Sequence, residues 1–311
     1  MRDIFIKELE NQARKDSNII LVTGDLGFGV LNNYRRDFPT QFINAGLAEA
    51  HMTGMAAGMA KEGKKVFTYS IGNFVSLRAL EQLRIDVAYH NVNVTAVCIG
   101  GGLSYGQLGM THHATEDLST MRAMPNMRVF SPCDDWETTE ITKAIPRLKG
   151  PNYLRLDKSS AGNTRRKGES FKLGKMRILR EGKDITLLAT GGILEEVLKA
   201  AKSLEQEKIN CRVLSVHSLR PFDERSVLSA ARETGGLVTV EENVVEGGLG
   251  GAVAEACLEN GVAPKKFYRI GMRKGFSAIV GTQEYLRKVY EMDAPAIAKK
   301  VKQLLNKKHV R

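Results

Sequence analysis

The order of apolar and polar residues along the chain alternates between two patterns. Continuous apolar runs of strand length recur, at residues 19–22, 66–71, 92–99, 185–189 and 237–240. Between them, apolar side chains return at helical spacing, for example at residues 47–61, 74–89 and 195–206. Strands that are apolar throughout are typical of a parallel sheet whose two faces are both covered by helices. The pattern therefore predicts an α/β fold.

One break in this pattern divides the chain. Residues 158–172 are rich in Ser, Gly, Arg and Lys and contain almost no large apolar side chain, which is typical of a linker. With 311 residues the chain is long enough for two domains. We predict two doubly wound domains, residues 1–160 and 176–311, joined by a linker at residues 161–175. Each should contain a mainly parallel sheet, and the second sheet allows one antiparallel edge strand.

Composition narrows the class of protein. The chain is 42% hydrophobic and 26% charged, a balance typical of globular proteins. It has no apolar run near the ~20 residues that span a bilayer, and its charged N-terminal stretch has no signal-like apolar core. We therefore expect a cytoplasmic protein with no membrane partner. The four cysteines are widely separated without CxxC spacing, which favours buried free thiols over disulfides or zinc.

The net charge of +11 suits a phosphorylated substrate, an acidic partner or a nucleic acid. Much of the excess lies at residues 165–167 and 299–311. The chain has one Trp, and no aromatic residues interleave the basic tail as a base-stacking platform requires. A solvated last helix is the preferred interpretation of the tail, and we expect no nucleic-acid partner.

The segment around Glu49 contains the first candidate chemistry. Glu49 opens a helical stretch of small residues, and a lone carboxylate on such a face is costly to bury. A solvated side chain, or a negative charge that caps the helix N-terminus, explains it without a function. On this segment alone, the structural interpretation is slightly preferred.

An ordered series of motifs changes that balance. Gly-Leu-Ala-Glu-Ala-His at residues 46–51 precedes Gly-Met-Ala-Ala-Gly-Met-Ala, Tyr69-Ser70 follows, and Gly-Met-Thr-His-His stands at residues 109–113. Val-Glu-Glu-Asn at residues 240–243 is followed by Gly-Gly-Leu-Gly. From about residue 20 to about residue 290 this series resembles the C-terminal half of transketolase and of 1-deoxyxylulose-5-phosphate synthase.

The resemblance implies thiamine diphosphate as the cofactor. In that family, the glutamate matching Glu49 hydrogen-bonds to N1′ of the aminopyrimidine and favours its imino form, which generates the reactive ylid. A carboxyl in an apolar pocket retains its proton more readily, which suits this role. Phe74 is the first candidate for packing on the pyrimidine and Tyr69 the second, with core packing as the alternative for both.

Two further groups are implied to bind substrate. His112 matches a loop histidine that donates to the sugar and moves protons near pH 7, although an isolated histidine of this kind is more often held by a backbone carbonyl. Arg155 and Lys158, at the end of a predicted strand, match basic residues that hold the sugar phosphate. Arg155 could equally pair with an acidic neighbour.

The sequence departs from the family in two places. Gly24-Asp25-Leu26 is not the Gly-Asp-Gly segment that binds Mg²⁺ and the diphosphate, so we expect no metal site in this chain. A second polypeptide, the N-terminal transketolase subunit, should bind both, in an α₂β₂ assembly. Leu108 stands where transketolases usually have an Asp that contacts a sugar hydroxyl, which leaves the donor ketose open.

The sequence therefore predicts the C-terminal subunit of a split transketolase. It would transfer a two-carbon ketol unit between ketose and aldose phosphates. The alternatives are the β subunit of a 2-oxo acid dehydrogenase, an enzyme resembling 1-deoxyxylulose-5-phosphate synthase, and a basic binding subunit without activity. The Thr-His-His loop favours the split transketolase over these alternatives.

Overall fold

A computed structural model of the chain describes residues 1–273 and 275–306. Its helices and strands follow one another in the predicted alternation. In chain order they are α1 (Arg2–Ala13), β1 (Ile19–Thr23), α2 (Asn32–Asp37), β2 (Phe42–Asn44), α3 (Glu49–Lys61), β3 (Lys65–Ile71), α4 (Leu80–Gln82), β4 (Val94–Ile99), α5 (Asp117–Ala123), β5 (Arg128–Phe130), α6 (Asp135–Ala144), β6 (Asn152–Leu156), β7 (Arg177–Arg180), β8 (Ile185–Thr190), α7 (Leu194–Gln206), β9 (Cys211–Ser215), β10 (Ser218–Arg220), α8 (Glu224–Glu233), β11 (Leu237–Val244), α9 (Leu249–Glu259), β12 (Phe267–Met272), α10 (Gln283–Val289) and α11 (Ala294–Asn306).

The first sheet has seven strands in the order β10-β5-β6-β4-β3-β1-β2. Every neighbouring pair from β5 to β2 is parallel. β1, β4 and β6 are buried along their whole length, which explains the largely apolar sequences of β1 and β4, whereas β6 buries Asn152 and Arg155 as well. The carboxyl ends of β1 and β3 lie side by side, with Thr23 opposite Tyr69.

The second sheet has the order β12-β11-β8-β9-β7, and β7 pairs antiparallel with β9 at one edge. The predicted fold class, including this edge strand, is confirmed. One strand differs from the prediction: β10 follows β9 in the second half of the chain but joins the first sheet, antiparallel to β5. A three-residue strand leaves no pattern that says which sheet it extends.

Helices cover both faces of the first sheet, as a parallel sheet requires. On one face, Phe5 of α1 belongs to the same core as Leu21 and residues of α6. On the opposite face, Met52 of α3 packs in a core with Val66 and with residues 74–89. On the second sheet, residues of α7 and α11 belong to one core. Residues of α8 and α9 belong to the same core as Met52.

The connection between the two sheets, residues 157–176, contains neither helix nor strand. Arg177, at the start of β7, binds this connection to the first half of the chain. Its guanidinium pairs with Asp134 and Glu137 of the first half and with Glu169 of the connection, each at 2.8 Å. Burial and Asp134 raise the pKa of Glu137, and Arg177 opposes that shift. The predicted domain boundaries stay a prediction, and residues 307–311 of the predicted basic tail lie outside the described residues.

All four cysteines are buried and free, as predicted. In the part of the chain that the structure describes, no helix combines the length and the apolar character that crossing a membrane requires.

Replacing Arg177 with Met should destabilise the fold. The substitution leaves Glu137 and Asp134 buried without their cation, a change that typically costs about 3–5 kcal/mol. Arg180→Met, on the same strand, removes a more exposed pair with Glu205 and should cost much less. Urea-induced unfolding of both variants measures the difference. Equal losses would mean that the buried ion pairs do not stabilise the connection.

Candidate active site

Glu49 lies at the carboxyl edge of the first sheet, where it begins α3. Its side chain has no exposed surface. Ser70, the penultimate residue of β3, donates a 2.9 Å hydrogen bond to Oε1, and Arg78 Nη1 lies 2.7 Å from Oε2. The first turn of a helix favours a negative charge. Glu49 is therefore a buried carboxylate, held by one hydrogen bond and one ion pair, and it is not solvated.

Phe74 and Arg78 belong to one π-helical turn, Phe74–Arg78, at the start of the stretch that packs against α3. Side chains four residues apart along a helix lie on the same face. The Arg78 guanidinium carbon accordingly lies 4.1 Å from the centre of the Phe74 ring. This turn therefore links an aromatic ring to the buried carboxylate of Glu49.

His112 reaches the same place from the loop after β4. Its ring centre lies 5.1 Å from that of Phe74, with the two planes at 64°. Thr111 Oγ1 lies 2.9 Å from His112 Nδ1, and the Thr111 carbonyl accepts a 2.7 Å hydrogen bond from Asn73. The loop is thus fixed to the residue that precedes the π-helical turn.

Three of the predicted site residues, Glu49, Phe74 and His112, therefore come together. With Ser70 and Arg78 they form what we call the Glu49 cluster. Sequence reasoning missed the last two. Arg78 was detectable as a charged residue four positions after the candidate aromatic, a spacing that places both side chains on one face of a helical stretch.

Tyr69 is not part of this cluster. Successive side chains of a strand point to opposite faces, and since Ser70 faces Glu49, Tyr69 points away from it. Its fully buried ring stacks near Phe5 of α1, with ring centres 6.5 Å apart and planes at 16°. Burial raises the pKa of its hydroxyl. The structure thus gives Tyr69 a place in the core instead of the predicted contact with the cofactor.

Arg155 lies in the interior rather than at an open surface. It is 1% exposed, and its guanidinium lies 3.3 Å from Asp117, 3.1 Å from Asp157 and 2.9 Å from the carbonyl of Glu242. Burial disfavours the cation, but the two carboxylates hold the pKa of Arg155 above its ordinary value. These contacts replace the predicted contact with a sugar phosphate, and they join the two halves of the chain.

Lys158 is exposed and lines two cavities, of about 420 and 390 Å³. Its ammonium group lies 4.0 Å from the centre of the Tyr105 ring. Partial burial and then Arg2 lower the pKa of Lys158. Leu108, 55% exposed, lines the 390 Å³ cavity together with Lys158. The predicted phosphate residue and the apolar substitution thus share one cavity.

Comparison with known proteins assigns the chain to a family. The sequence model of the transketolase pyrimidine-binding domain matches residues 1–163, and that of the transketolase C-terminal domain matches residues 174–297. The chain therefore belongs to the transketolase family, whose members depend on thiamine diphosphate.

Several relatives are subunits of split enzymes. The chain is 37% identical over 315 residues, 100% of its length and 96% of the relative, to a 6-deoxy-6-sulfo-D-fructose transketolase subunit of Clostridium sp. (strain MSTE9). It is 36% identical over 99% of its length, and 96% of the relative, to a putative transketolase C-terminal section of Methanocaldococcus jannaschii. A solved structure described as a split gene transketolase, inactive beta4 tetramer, has a TM-score of 0.90 at 34% identity, with 99% of both chains covered.

One longer relative is named for a different activity. A 1-deoxy-D-xylulose-5-phosphate synthase of Geobacter metallireducens is 34% identical over 96% of this chain. The chain spans 48% of that relative's length.

The residues of the Glu49 cluster fit the aminopyrimidine half of the family cofactor. Glu49 offers a buried carboxylate, and Phe74 a half-buried ring. Gly24 leaves the backbone close to the carboxylate, since a Cβ there would lie 3.3 Å from Oε1. Within the described residues, no group of three or more His, Cys, Asp or Glu side chains is arranged to hold a metal ion. The chain therefore offers residues for the pyrimidine.

The pair between Arg78 and Glu49 should be detectable in the stability of the chain. Arg78→Met leaves a buried carboxylate with Ser70 alone, and because Arg78 is half exposed we expect a loss of about 1–2 kcal/mol. In the double variant with Glu49→Gln the effect of Arg78→Met should shrink. Arg84→Met, on the exposed face of the same stretch, should change little.

The measurement is a double-mutant cycle by urea-induced unfolding. Additive effects of Glu49→Gln and Arg78→Met would contradict the coupling that the 2.7 Å distance implies.

Proposed function

We propose that the chain is the C-terminal subunit of a two-chain transketolase. It transfers a two-carbon ketol unit from a ketose phosphate to an aldose phosphate. The observation that carries the proposal is the buried Glu49 carboxylate, joined through Arg78 to an aromatic ring and a loop histidine at the carboxyl edge of a parallel sheet. Ligands of open α/β sheets bind at that edge.

Glu49 and Phe74 are the residues that would bind the cofactor. When bound, thiamine diphosphate would supply a carbon nucleophile and an electron sink for breaking and forming a carbon–carbon bond. Glu49 would hold the proton at N1′ of the aminopyrimidine, and Phe74 would pack on the ring. Because Glu49 is fixed from two sides, its carboxylate loses little freedom when the ring binds. Arg78 acts as a positioning residue for the carboxylate.

His112 and Lys158 would act on the sugar. The imidazole of His112 lies beside Phe74 and would donate a hydrogen bond to a substrate hydroxyl or carbonyl. Lys158 would bind the sugar phosphate in the cavity that it lines together with Leu108. An apolar side chain cannot accept a hydrogen bond from a sugar hydroxyl, so Leu108 suits a donor that differs from the usual ketose at that position.

The N-terminal transketolase subunit would supply the Mg²⁺ and diphosphate site, in an α₂β₂ assembly. Support comes from large apolar side chains that are exposed just before α3 and along residues 74–89. They are Leu47 at 73%, Leu77 at 37%, Ile85 at 40% and Tyr89 at 77%. Their exposure in the single chain leaves these side chains available for contact with a second subunit. A cytoplasmic location is supported by four buried free thiols.

Glu49→Gln, assayed in the complex with the N-terminal subunit, should lower kcat at least about 100-fold, because loss of a positioned proton-transfer group typically costs that much. The assembly should persist in size-exclusion chromatography. Glu81→Gln is the matched control, since Glu81 is exposed on the neighbouring stretch. Unchanged turnover of the Glu49 variant in an intact complex would reject the proposed role and favour a non-enzymatic binding subunit.

A second candidate is an activity like that of 1-deoxyxylulose-5-phosphate synthase, favoured by the similarity to the longer relative. A 2-oxo acid dehydrogenase β subunit would share the same architecture. The two-chain complex should be offered a ketose phosphate with an aldose phosphate, and separately pyruvate with an aldose phosphate or an acyl acceptor. We expect ketol transfer in the first assay. Carbon dioxide release from pyruvate without ketol transfer would overturn the assignment.

A further inference from the structure

A small cavity in the second half of the chain has a chemistry that the proposed activity does not use. It has a volume of about 110 Å³ and lies at the carboxyl end of β12, the edge strand of the second sheet. Three elements meet there: the end of β12, the residues that follow α10, and one face of α11. The carboxyl end of a parallel strand is the usual position of ligand sites in α/β sheets.

Cations dominate the lining of this cavity. Arg273, Lys299 and Lys300 line it, and Glu291 is the one carboxylate among the lining residues. The site therefore has an excess of positive charge. Like charges held close together repel one another, and an anion placed between them relieves that repulsion.

Tyr268 gathers two of these cations. The guanidinium carbon of Arg273 lies 4.9 Å from the centre of the Tyr268 ring, and the ammonium nitrogen of Lys300 lies 4.6 Å from it. The face of an aromatic ring attracts cations, so both side chains are held near the cavity without a carboxylate partner. Arg273 also donates to the carbonyl of Arg269, which orients its guanidinium.

The ion pairs found among residues 1–273 and 275–306 include none formed by Arg273, Lys299 or Lys300. By contrast, the buried Arg177 and Arg155 are paired with two or more carboxylates each. The cavity is thus lined by cationic donors with an excess of positive charge.

We propose that this cavity binds the phosphoryl group of a small phosphorylated metabolite. A phosphate monoester carries a charge of about −1.5 to −2 near neutral pH, which matches three cations opposed by one carboxylate. Its oxygens can accept charge-assisted hydrogen bonds from a guanidinium and two ammonium groups at once. Gln303 lines the same space and its amide can contact the rest of the ligand, whereas the hydroxyl of Tyr290 donates to Ser277.

The site is separate from the proposed active site. None of its lining residues belongs to the Glu49 cluster or to the cavities at Lys158. The inference does not depend on the proposed function.

The test is calorimetric titration of the full-length chain with inorganic phosphate at low ionic strength. Since Lys158 could bind a second phosphate, every variant is made in a Lys158→Gln background. We expect saturable binding at one site per chain with a Kd of about 1 mM or tighter. Lys300→Gln and Arg273→Gln should each weaken binding about tenfold, which corresponds to about 1.4 kcal/mol. Circular dichroism checks that each variant is folded.

Two further variants separate a built site from general surface charge. Lys202→Gln removes one charge from an exposed position of α7, outside the cavity, and should leave the Kd unchanged. Glu291→Gln removes the opposing carboxylate and should tighten binding. The proposal is overturned if phosphate does not bind saturably, if Lys202→Gln and Lys300→Gln weaken binding equally, or if Glu291→Gln has no effect or weakens it.

Discussion

The candidate active site depends on one buried carboxylate. Glu49 has no exposed side-chain surface, and taking an ionised carboxylate out of water is costly unless partners compensate for the lost hydration. Ser70 supplies a neutral donor and Arg78 a cation, and each comes from a different element at the same edge of the first sheet. Because Arg78 also stacks on Phe74, and Phe74 meets His112, the position of the carboxylate and that of the loop histidine are linked.

The same principle, charges that are buried only where they are paired, joins the two halves of the chain. Arg155 and Arg177 both lie where the second half meets the first, and each is matched by carboxylates. Removing one partner of such a pair costs more than the pair contributes. Arg155 is therefore occupied by these internal pairs, whereas the exposed Lys158, three residues later, lines a cavity.

The fold could be predicted from the sequence because continuous apolar strands and a polar connection report burial directly. Strand β10 could not, since its partner β5 lies far away in sequence and pairing of this kind leaves no local periodicity. Within the site, Glu49, Phe74 and His112 were predicted from an ordered series of motifs. Tyr69 was included because residue types alone do not say which face of β3 a side chain occupies, whereas the alternation of Tyr69 and Ser70 does once Glu49 is known to face Ser70. Asp117 and the carbonyl of Glu242, two of the three groups that hold Arg155, are distant in sequence, so its pairing could be offered only as an alternative.

The central claim is that the Glu49 carboxylate is built to meet the aminopyrimidine ring of a cofactor whose diphosphate another chain binds. A crystal structure of the two-chain complex with thiamine diphosphate tests it most directly. The account predicts a Glu49 carboxylate oxygen within hydrogen-bond distance of N1′, roughly 2.6–3.2 Å, with the diphosphate on the other subunit. A cofactor bound away from Glu49, or held entirely by one chain, would contradict it.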